Sequence, residues 1–394
     1  MELIGLQDLD LNNKVVLIRE DLNVPLENGK ITNTNRIDAS LTTIKLALSK
    51  GAKVAVLSHL GNPKEGEYDP EYSLTPIVDD LKNKLNIPVR LIHDWINGFK
   101  INDGELVVLE NVRFLAGEKE NSDELSRKIA SLGDVYVMDA FATAHRKHAS
   151  TYGALQYAKE VCAGPLFLSE INALQKGLKN PEKPVVAIVG GSKISTKIDI
   201  ITKLVSKVDQ LIVGGGIANT FIAAAGLNVG NSLYEESQLG IARRLMQEAQ
   251  DKGSIIPMPV DVVVAKSLSH DARVQVKSIQ NVENGDLILD IGPDTAKMLC
   301  KYINKAKTII WNGPVGVFEY DVFAEGTKKI ANAIADSDAY SLAGGGDTIA
   351  AIDKFNIADK ISYISTGGGA FLEFIQENTF PVIELLSSNK LEKV

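Results

Sequence analysis

The chain has 394 residues, 45% of them hydrophobic and 23% charged, which is an ordinary composition for a globular protein and a length that favours two domains. Its formal net charge of −8 at pH 7 argues against broad binding of nucleic acid, because phosphate backbones attract basic surfaces. The apolar runs are too short for a membrane span and the first residues lack the basic start of a secretory signal, so we expect neither.

The two cysteines, Cys162 and Cys300, lie far apart in the sequence. They form neither a disulfide framework nor a metal-type spacing, which favours a reducing, cytoplasmic location. The sequence also has no HExxH motif and no Cys/His pair at zinc-like spacing. A transition-metal site therefore has little support.

In the first half of the chain, apolar runs typical of strands alternate with helical patterns. The runs are 14–26, 53–63, 105–114 and 134–146, and the helical patterns are 36–50, 73–86, a segment after Ser122 and one around Leu155. This alternation predicts βαβ units and a largely parallel sheet. In such a sheet the functional residues lie beyond the carboxyl ends of the strands.

Polar and cationic residues follow four of these runs directly. They are Asp21, Asn23, His59, Arg113, His145 and Arg146. Taken singly, each is better explained as an ordinary turn residue or a surface ion-pair partner. Because four strand ends carry such residues to one rim, and because arginine suits phosphate and carboxylate, we expect a small, multiply anionic substrate there. The remaining histidines lack this placement and are interpreted as structural: His93, His148 and His270.

The stretch 164–184 separates the two halves. Pro165 begins a helical pattern that Asn180 and Pro181 end, and a further proline follows at position 184. We interpret this helix as the connector between two lobes. An ordinary crossover helix would give the same pattern.

In the second half, apolar runs lead through glycines into helical patterns. These segments are 185–205, 210–221, 339–348 and 364–373, and two further apolar runs are 257–265 and 307–319. A strand that enters a helix through glycines leaves N–H groups at the positive end of the helix dipole, which favours an anion. Glycines that serve only as packing turns are the alternative.

Three charged residues stand beside these glycines. Lys193 and Lys197 are four residues apart, which predicts that both lie on one helical face near its start. Cations there oppose the helix dipole unless an anion offsets them, which favours function. Asp347 would either hold Mg²⁺ through one carboxylate or cap a helix, and both readings stay open. No P-loop motif and no complete dinucleotide-binding fingerprint is present.

The motifs together resemble those of the phosphoglycerate kinase family. In chain order, between residues 19 and 373, they are REDLNVPL, SHLGNP, LENVRF, DAFATAHR, VGGSKISTK, VGGGIANTF, WNGPVGVFE, AGGGDT and STGGGAFLE. A single motif of this kind is weak, but nine in one order are highly specific.

The resemblance implies an α/β fold with two Rossmann-like lobes, each a mainly parallel sheet flanked by helices, joined by a hinge helix. It implies a 3-phosphoglycerate-binding domain over 1–168, an interdomain helix over 169–183, and a nucleotide-binding domain over 184–376. It also implies that the segment 377–394 returns to the first domain. A monomer that closes by bending at its hinge is expected.

The resemblance further implies reversible phosphoryl transfer between 1,3-bisphosphoglycerate and ADP, with Mg²⁺ accompanying the nucleotide. The implied substrate-binding residues are Asp21, Asn23, Arg36, His59, Leu60, Gly61, Asn62, Arg113 and Arg146. The implied nucleotide-binding residues are Lys193, Lys197, Gly214, Asn312, Val317, Glu319, Gly345, Gly346, Asp347 and Thr348, with Asp347 also at the metal. Arg36, Lys193 and Gly368 are the expected catalytic residues, with the Gly367–Gly369 helix start sharing the charge of the transferring group.

Three positions depart from the family pattern. Asn62 stands where the family usually has arginine, which puts one phosphate contact in question, and Lys64 is the candidate substitute. Thr196 stands where aspartate is frequent, and it removes a charge near the metal. Ala142 stands where glycine is frequent, so its backbone must tolerate a Cβ atom.

Two other functions compete with this reading. A nicotinamide-dependent dehydrogenase would have similar lobes, but the fingerprint glycines and the ribose-binding acid are missing. A non-catalytic nucleotide-binding scaffold is the second alternative. The joint presence of Arg36, Lys193, Lys197 and Asp347 argues against it.

Overall fold

The computed structural model describes residues 3–377 and 379–391, which form two compact units. Unit 1 contains the described residues up to Asn172 together with those from Thr379 onwards, and unit 2 contains those that begin at Ala173. The boundary falls inside a helix, Pro165–Leu174, within the predicted interdomain segment. The functions assigned above to the two domains stay predictions.

Unit 1 alternates strands and helices along the chain. Its elements are β1 (Val15–Arg19), β2 (Leu26–Glu27), β3 (Lys30–Ile31), α1 (Asn35–Ser49), β4 (Lys53–Leu57), α2 (Thr75–Leu85), β5 (Val89–Ile92), β6 (Leu106–Leu109), α3 (Asp123–Ser131), β7 (Val135–Met138), α4 (Ala154–Tyr157), β8 (Val161–Ala163) and most of α5 (Pro165–Leu174).

The central sheet of unit 1 is parallel throughout, in the order β5-β6-β4-β1-β7-β8. Its inner strands are buried on both faces, which is why their sequences are continuous apolar runs such as LVVL and VYVM. The chain leaves β1 towards β4 and leaves β7 towards β8, on the opposite side. A ligand cleft is expected at such a reversal, beyond the ends of β1 and β7.

Unit 2 follows the same plan. Its elements are β9 (Val185–Gly191), α6 (Ile198–Val205), β10 (Gln210–Gly214), α7 (Gly215–Ala224), α8 (Leu239–Asp251), β11 (Asp261–Ala265), β12 (Gln275–Ser278), β13 (Leu287–Ile291), α9 (Pro293–Ile303), β14 (Thr308–Asn312), α10 (Glu325–Ala335), β15 (Tyr340–Ala343), α11 (Gly346–Lys354), β16 (Tyr363–Ile364) and α12 (Gly369–Glu377). The last helix, α13 (Pro381–Leu391), belongs to unit 1 and packs against β8 and α4.

The main sheet of unit 2 is parallel, in the order β10-β9-β14-β15-β16. Its strand connections reverse between β9 and β14, which places the expected cleft beyond Gly191 and Asn312. Two helix-flanked parallel sheets confirm the predicted α/β fold class.

Two strands of unit 2 show what the sequence pattern left open. The run 257–265 does not join the parallel sheet, because β11 pairs antiparallel with β12 and β13 in a separate three-stranded sheet. The strand expected to begin the 364–373 segment is only two residues long, Tyr363–Ile364, and pairs along one edge with β15. The sequence patterns therefore predict both strands but neither the sheet that the first one joins nor the length of the second.

Candidate active site

The predicted site residues form two groups, one at the rim of each parallel sheet. In unit 1 the central residue is Arg36, the second residue of α1. Its Nη1 atom lies 2.8 Å from Oδ2 of Asp21 and donates to the carbonyl oxygen of Asn23 at 3.0 Å. The Arg36 side chain remains 32% exposed, whereas that of Asp21 is only 9% exposed. The buried carboxylate therefore orients a guanidinium that still faces solvent.

Gly61 connects Asn23 with a second arginine. Its N–H donates to Oδ1 of Asn23 at 2.8 Å, and its carbonyl accepts from Nη1 of Arg113 at 2.5 Å. Gly61 has φ +59°, and a Cβ atom there would overlap the ring of Tyr72. Only glycine suits this turn without strain, and the turn fixes both side chains.

His59, at the end of β4, is held as a neutral imidazole. Its Nδ1 atom lies 3.3 Å from Nη2 of Arg19, and because arginine only donates, Nδ1 accepts and Nε2 carries the proton. Burial, with the charges of Arg19 and Arg113 next, holds the pKa of His59 well below its usual value. The histidine thus offers an N–H donor without adding charge.

The cations of unit 1 crowd one another. Burial and the nearby charges of Arg146 and Arg19 lower the pKa of the Arg113 guanidinium. Burial and the charges of Arg113, Arg146 and Arg19 lower the pKa of His148 to about 4. The charges of Glu118 and Asp21 offset part of this repulsion. A bound polyanion would relieve the rest. We call Arg19, Arg36, Arg113 and Arg146 the arginine cluster.

Sequence reasoning missed part of this cluster. Arg19 was not assigned a role, and His148 was interpreted as structural, yet both lie in the electrostatic neighbourhood of Arg113. Arg19 is the last residue of a buried strand. A cation at a strand end is the sequence signal that could have assigned it to the site. His148 follows a turn rather than a strand, and no pattern in the sequence singles it out.

Two of the three departures from the family pattern lie in this unit. Asn62 is exposed at the rim. Ala142 lies in the 3₁₀ turn Phe141–Thr143 and has no positive φ, so its Cβ atom meets no backbone strain. The alanine is therefore compatible with this turn.

In unit 2, Lys197 joins the ends of β9 and β14. Its Nζ atom donates to the carbonyl of Gly190 at 2.5 Å and to Oδ1 of Asn312 at 2.7 Å. Burial lowers the pKa of this lysine, while the charge of Asp347 raises it. The lysine is thus fixed at the point where the strand connections reverse.

The prediction that Lys193 and Lys197 share one helical face is wrong. Helix α6 begins only at Ile198, and Lys193 is extended, with φ −134° and ψ 128°. The reason lies in Glu235, whose carboxylate accepts hydrogen bonds from the N–H and Oγ of Ser195 at 2.8 and 2.6 Å. This anchor holds residues 194–196 in a 3₁₀ turn and leaves Lys193 exposed before it.

Asn312 and Thr348 tie the glycine turn before α11 to β14. Asn312 Nδ2 donates to the carbonyl of Gly344 at 2.7 Å, and Thr348 Oγ1 accepts from the N–H of Gly313 at 2.7 Å. Gly345 has φ +98°, and a Cβ atom there would lie 2.5 Å from Asn312 Nδ2. The start of α11 is therefore rigidly positioned.

The glycines of unit 2 fall into two classes. At Gly214, an added Cβ atom would lie 2.6 Å from the backbone of Pro314 and Val315, so this glycine permits close backbone packing. At Gly346, Gly368 and Gly369, no described heavy atom lies within 4 Å of an added Cβ. These three begin α11 and α12 and leave the helix starts open to a ligand.

An apolar cleft lies beside Gly214 and Val317. Its enclosed space is only about 20 Å³, and its lining includes Gly215, Leu289 and Val315. The N–H of Val317 donates to the carbonyl of Leu289 at 2.8 Å. Glu319 is exposed two residues further on.

Asp347 suits a cation that is coordinated mainly by the phosphates of a bound nucleotide. It is exposed in the first turn of α11, where the helix has Gly345 at its N-cap and no side-chain cap, so the capping alternative is not supported. Over residues 3–377 and 379–391, no group of three or more His, Cys, Asp or Glu residues could hold a metal ion. One carboxylate suits Mg²⁺ when phosphate oxygens and water complete its shell.

Comparison with known proteins identifies the family. A model of the phosphoglycerate kinase family matches residues 6–378. The chain belongs to the phosphoglycerate kinase family. A solved phosphoglycerate kinase from Coxiella burnetii is 52% identical, with 98% of this chain and 100% of that chain covered and a TM-score of 0.95. One from Pyrococcus horikoshii is 31% identical, with 99% and 100% covered and a TM-score of 0.82.

Membership of the phosphoglycerate kinase family confirms the resemblance inferred from the nine motifs. It makes the chain a phosphotransferase and argues against the dehydrogenase and the non-catalytic scaffold. In the described part of the chain, no helix has the length and apolar character to span a membrane.

Proposed function

We propose that this chain catalyses reversible phosphoryl transfer between 1,3-bisphosphoglycerate and ADP, giving 3-phosphoglycerate and ATP. The observation that carries the proposal is the cationic rim of unit 1, where Asp21 orients Arg36 and the carbonyl of Gly61 holds Arg113. The charges of Arg146 and Arg19 act on Arg113 as well, which favours a polyanion there. The family supplies the identity of that polyanion. Lys197 and the open glycines before α11 and α12 would receive the nucleotide phosphates.

The mechanism needs no general base, because the attacking oxygen is anionic in both directions. The protein positions the two oxygens in line and stabilises charge on the transferring group. Arg36 would contact that group from the substrate side, with Asp21 fixing its direction. Lys193, Lys197 and the start of α12 would hold it from the nucleotide side. His59 would donate a hydrogen bond from its Nε2–H group to a substrate oxygen, and the proton would stay on the imidazole.

Mg²⁺ is proposed as the companion of the nucleotide, with Asp347 as its protein ligand. When bound, the ion would neutralise charge on the phosphate oxygens. Thr196 in the neighbouring turn donates its hydroxyl to the carbonyl of Lys193 at 2.8 Å and supplies no charge. Asp347 therefore stands as the one acidic side chain that we assign to this ion.

A coupled assay with 3-phosphoglycerate and MgATP tests the reaction. We expect turnover that needs both substrates and that disappears when Mg²⁺ is chelated. Nucleotide binding without turnover would instead favour the scaffold, and an NADH fluorescence titration with saturable binding would favour the dehydrogenase.

Sedimentation velocity tests the proposed monomer, and cell fractionation tests the proposed cytoplasmic location.

Closure of the two units on their substrates is part of the proposal. Bound ATP would otherwise be open to water, and exclusion of water strengthens every charge interaction with the transferring group. Small-angle scattering should therefore show a smaller radius of gyration when both substrates are added than with either alone. An unchanged profile would count against closure.

Gly368→Leu is expected to reduce kcat by about 10-fold or more, because the side chain would fill the open start of α12 where charge develops. The backbone has φ +54°, so a side chain also adds about 1–2 kcal/mol of strain. Gly29→Leu is the matched control, since Gly29 has φ +73° and is equally open, but lies in the β2–β3 hairpin. Similar losses of kcat in both variants would show that strain alone is responsible.

A further inference from the structure

Two carboxyl side chains are buried together beneath the rim of unit 1. Glu20 directly follows β1, and Asp139 directly follows β7. The two strands pair in parallel with Arg19 opposite Met138, so the next residues along are neighbours. Both side chains are completely buried, at 0% exposure. Two ionised carboxylates at such a place would repel each other strongly.

The acceptor capacity of Asp139 is used by two helices. Its Oδ2 atom accepts a short hydrogen bond from Thr43 of α1, and its Oδ1 atom accepts from the N–H of Phe167 at 2.8 Å. Phe167 lies in the first turn of α5, the helix along which the chain passes from unit 1 into unit 2. Asp139 thus behaves as an acceptor towards α1 and α5.

Glu20 finds no donor of its own. Neither carboxyl oxygen has a hydrogen-bond partner among the described residues when both carboxyls are taken as ionised. Arg19 does not reach it, because that guanidinium donates to the backbone carbonyl of Glu20, to Ser150 Oγ at 2.9 Å and towards His59 Nδ1. The other charged neighbour is Asp21, which is acidic as well. A proton on Glu20 would satisfy both carboxyls, since Asp139 lies within hydrogen-bond reach.

We propose that Glu20 keeps a proton at neutral pH and donates it to Asp139, so that one shared proton fastens the ends of β1 and β7 to α1 and to the start of α5. Burial is the largest cause that raises the pKa of Glu20 well above its usual value, with the charge of Asp139 next. Burial also raises the pKa of Asp139 to about 6, against the hydrogen bonds from Thr43 and Phe167. The proton therefore resides on Glu20.

The shared proton makes Glu20 a positioning residue. Thr43 lies two turns along α1 from Arg36, and Asp21, the partner of Arg36, is the residue after Glu20. Loss of the proton would place two negative charges under the elements that aim Arg36. This kinetic consequence rests on the proposed function, whereas the proton itself does not.

The sign of the pH effect follows from the raised pKa. In the unfolded chain Glu20 loses its proton near pH 4.5. In the folded protein it keeps the proton to a higher pH. The stabilisation is therefore complete at low pH and is lost as the pH rises towards the folded-state pKa. Over that window the folding equilibrium constant should fall by up to about tenfold per pH unit from this proton alone.

The test compares wild type with Glu20→Gln, whose amide donates to Asp139 at every pH. Denaturant unfolding from pH 6 to 9 should show a decline in wild-type stability that is shallower in Glu20→Gln. Infrared spectra at pH 7 should show less protonated-carboxyl absorption in Glu20→Gln than in wild type. Asp290, whose pKa burial raises to about 7, contributes equally to both proteins. The exposed Glu120→Gln serves as the control and should match wild type in both measurements.

Equal slopes for wild type and Glu20→Gln, or an unchanged carboxyl band, would overturn the proposal. Should Glu20→Gln fail to fold, Asp139→Asn takes its place, because its amide donates to an ionised Glu20 and also removes the shared proton. Glu20→Ala should lower kcat/KM at least about threefold and Glu20→Gln should restore it, since only the latter retains a donor. If wild type shows no kinase turnover, the proposed function fails, and the spectra and slopes still decide where the proton lies.

Discussion

Arg36→Ala is expected to lower kcat about 10²-fold or more, because a cation aimed at a transferring phosphoryl group contributes a factor of about 10³–10⁵ in comparable enzymes. The loss corresponds to about 2.7 kcal/mol or more of transition-state stabilisation. Asp21 already orients the partly exposed guanidinium. Little reorganisation of Arg36 should therefore be needed when the substrates bind.

Stability should respond differently from activity in this variant. A partly exposed ion pair contributes at most about 1 kcal/mol, although the buried Asp21 carboxylate would lose its charged partner. The measurement is therefore kcat from the coupled assay beside the denaturant midpoint. Arg90→Ala is the matched control, because it also breaks an arginine–carboxylate pair, the one with Glu105 at 2.7 Å. Arg90 lies at the start of β5, away from the rim at the carboxyl ends of the strands. An Arg36→Ala enzyme with kcat within twofold of wild type would contradict the assignment.

Lys193→Ala is expected to lower kcat by a similar factor of about 10² with almost no change in stability. Lys193 is exposed, and its side chain makes no hydrogen bond or ion pair with any residue in the described part of the chain. The truncation therefore removes a charge from the site and no hydrogen bond from the fold. Its one effect on the neighbouring turn is through Glu235, whose pKa the charge of Lys193 helps to lower. A change in kcat without a change in the unfolding midpoint would therefore report on catalysis alone.

Lys203→Ala provides the comparison for this prediction. Lys203 is also an exposed lysine and lies on α6, a short distance along the chain from the same turn. It should leave kcat and the unfolding midpoint unchanged, as expected for a surface substitution. If both variants reduced kcat equally, a general electrostatic attraction of the nucleotide would explain the effect instead of a contact from Lys193.

The sequence predicted the parallel sheets and the strand-end residues because both depend on local patterns. Continuous apolar runs indicate strands buried on two faces, and the residue after such a run must lie at the rim. His59 and Arg113 were found in this way. Lys193 and Lys197 were placed on a helix because their spacing of four suits one, but Glu235, some forty residues away, holds Ser195 in a different turn.

The glycines show the same limit more sharply. Sequence patterns indicate strand–glycine–helix junctions and favour anion sites, with packing turns as the alternative. The structure contains both kinds, since Gly214 faces the backbone of another loop and Gly368 faces open space. Which kind a glycine is depends on what lies opposite it, and the local sequence does not contain that information. The Glu20–Asp139 pair was missed for the same reason, because its members are 119 residues apart.

The membership of α13 in unit 1 has a consequence for biosynthesis. Phe380, Val382 and Ile383 are buried, and the ring of Phe380 lies 5.6 Å from that of Phe141. When the ribosome has completed residue 172, the groove that receives these side chains is still empty, and unit 2 must be translated before they exist. At about 5–20 residues per second, some 200 residues take roughly 10–40 s. During that interval a nascent unit 1 exposes an apolar surface that only the end of its own chain will cover.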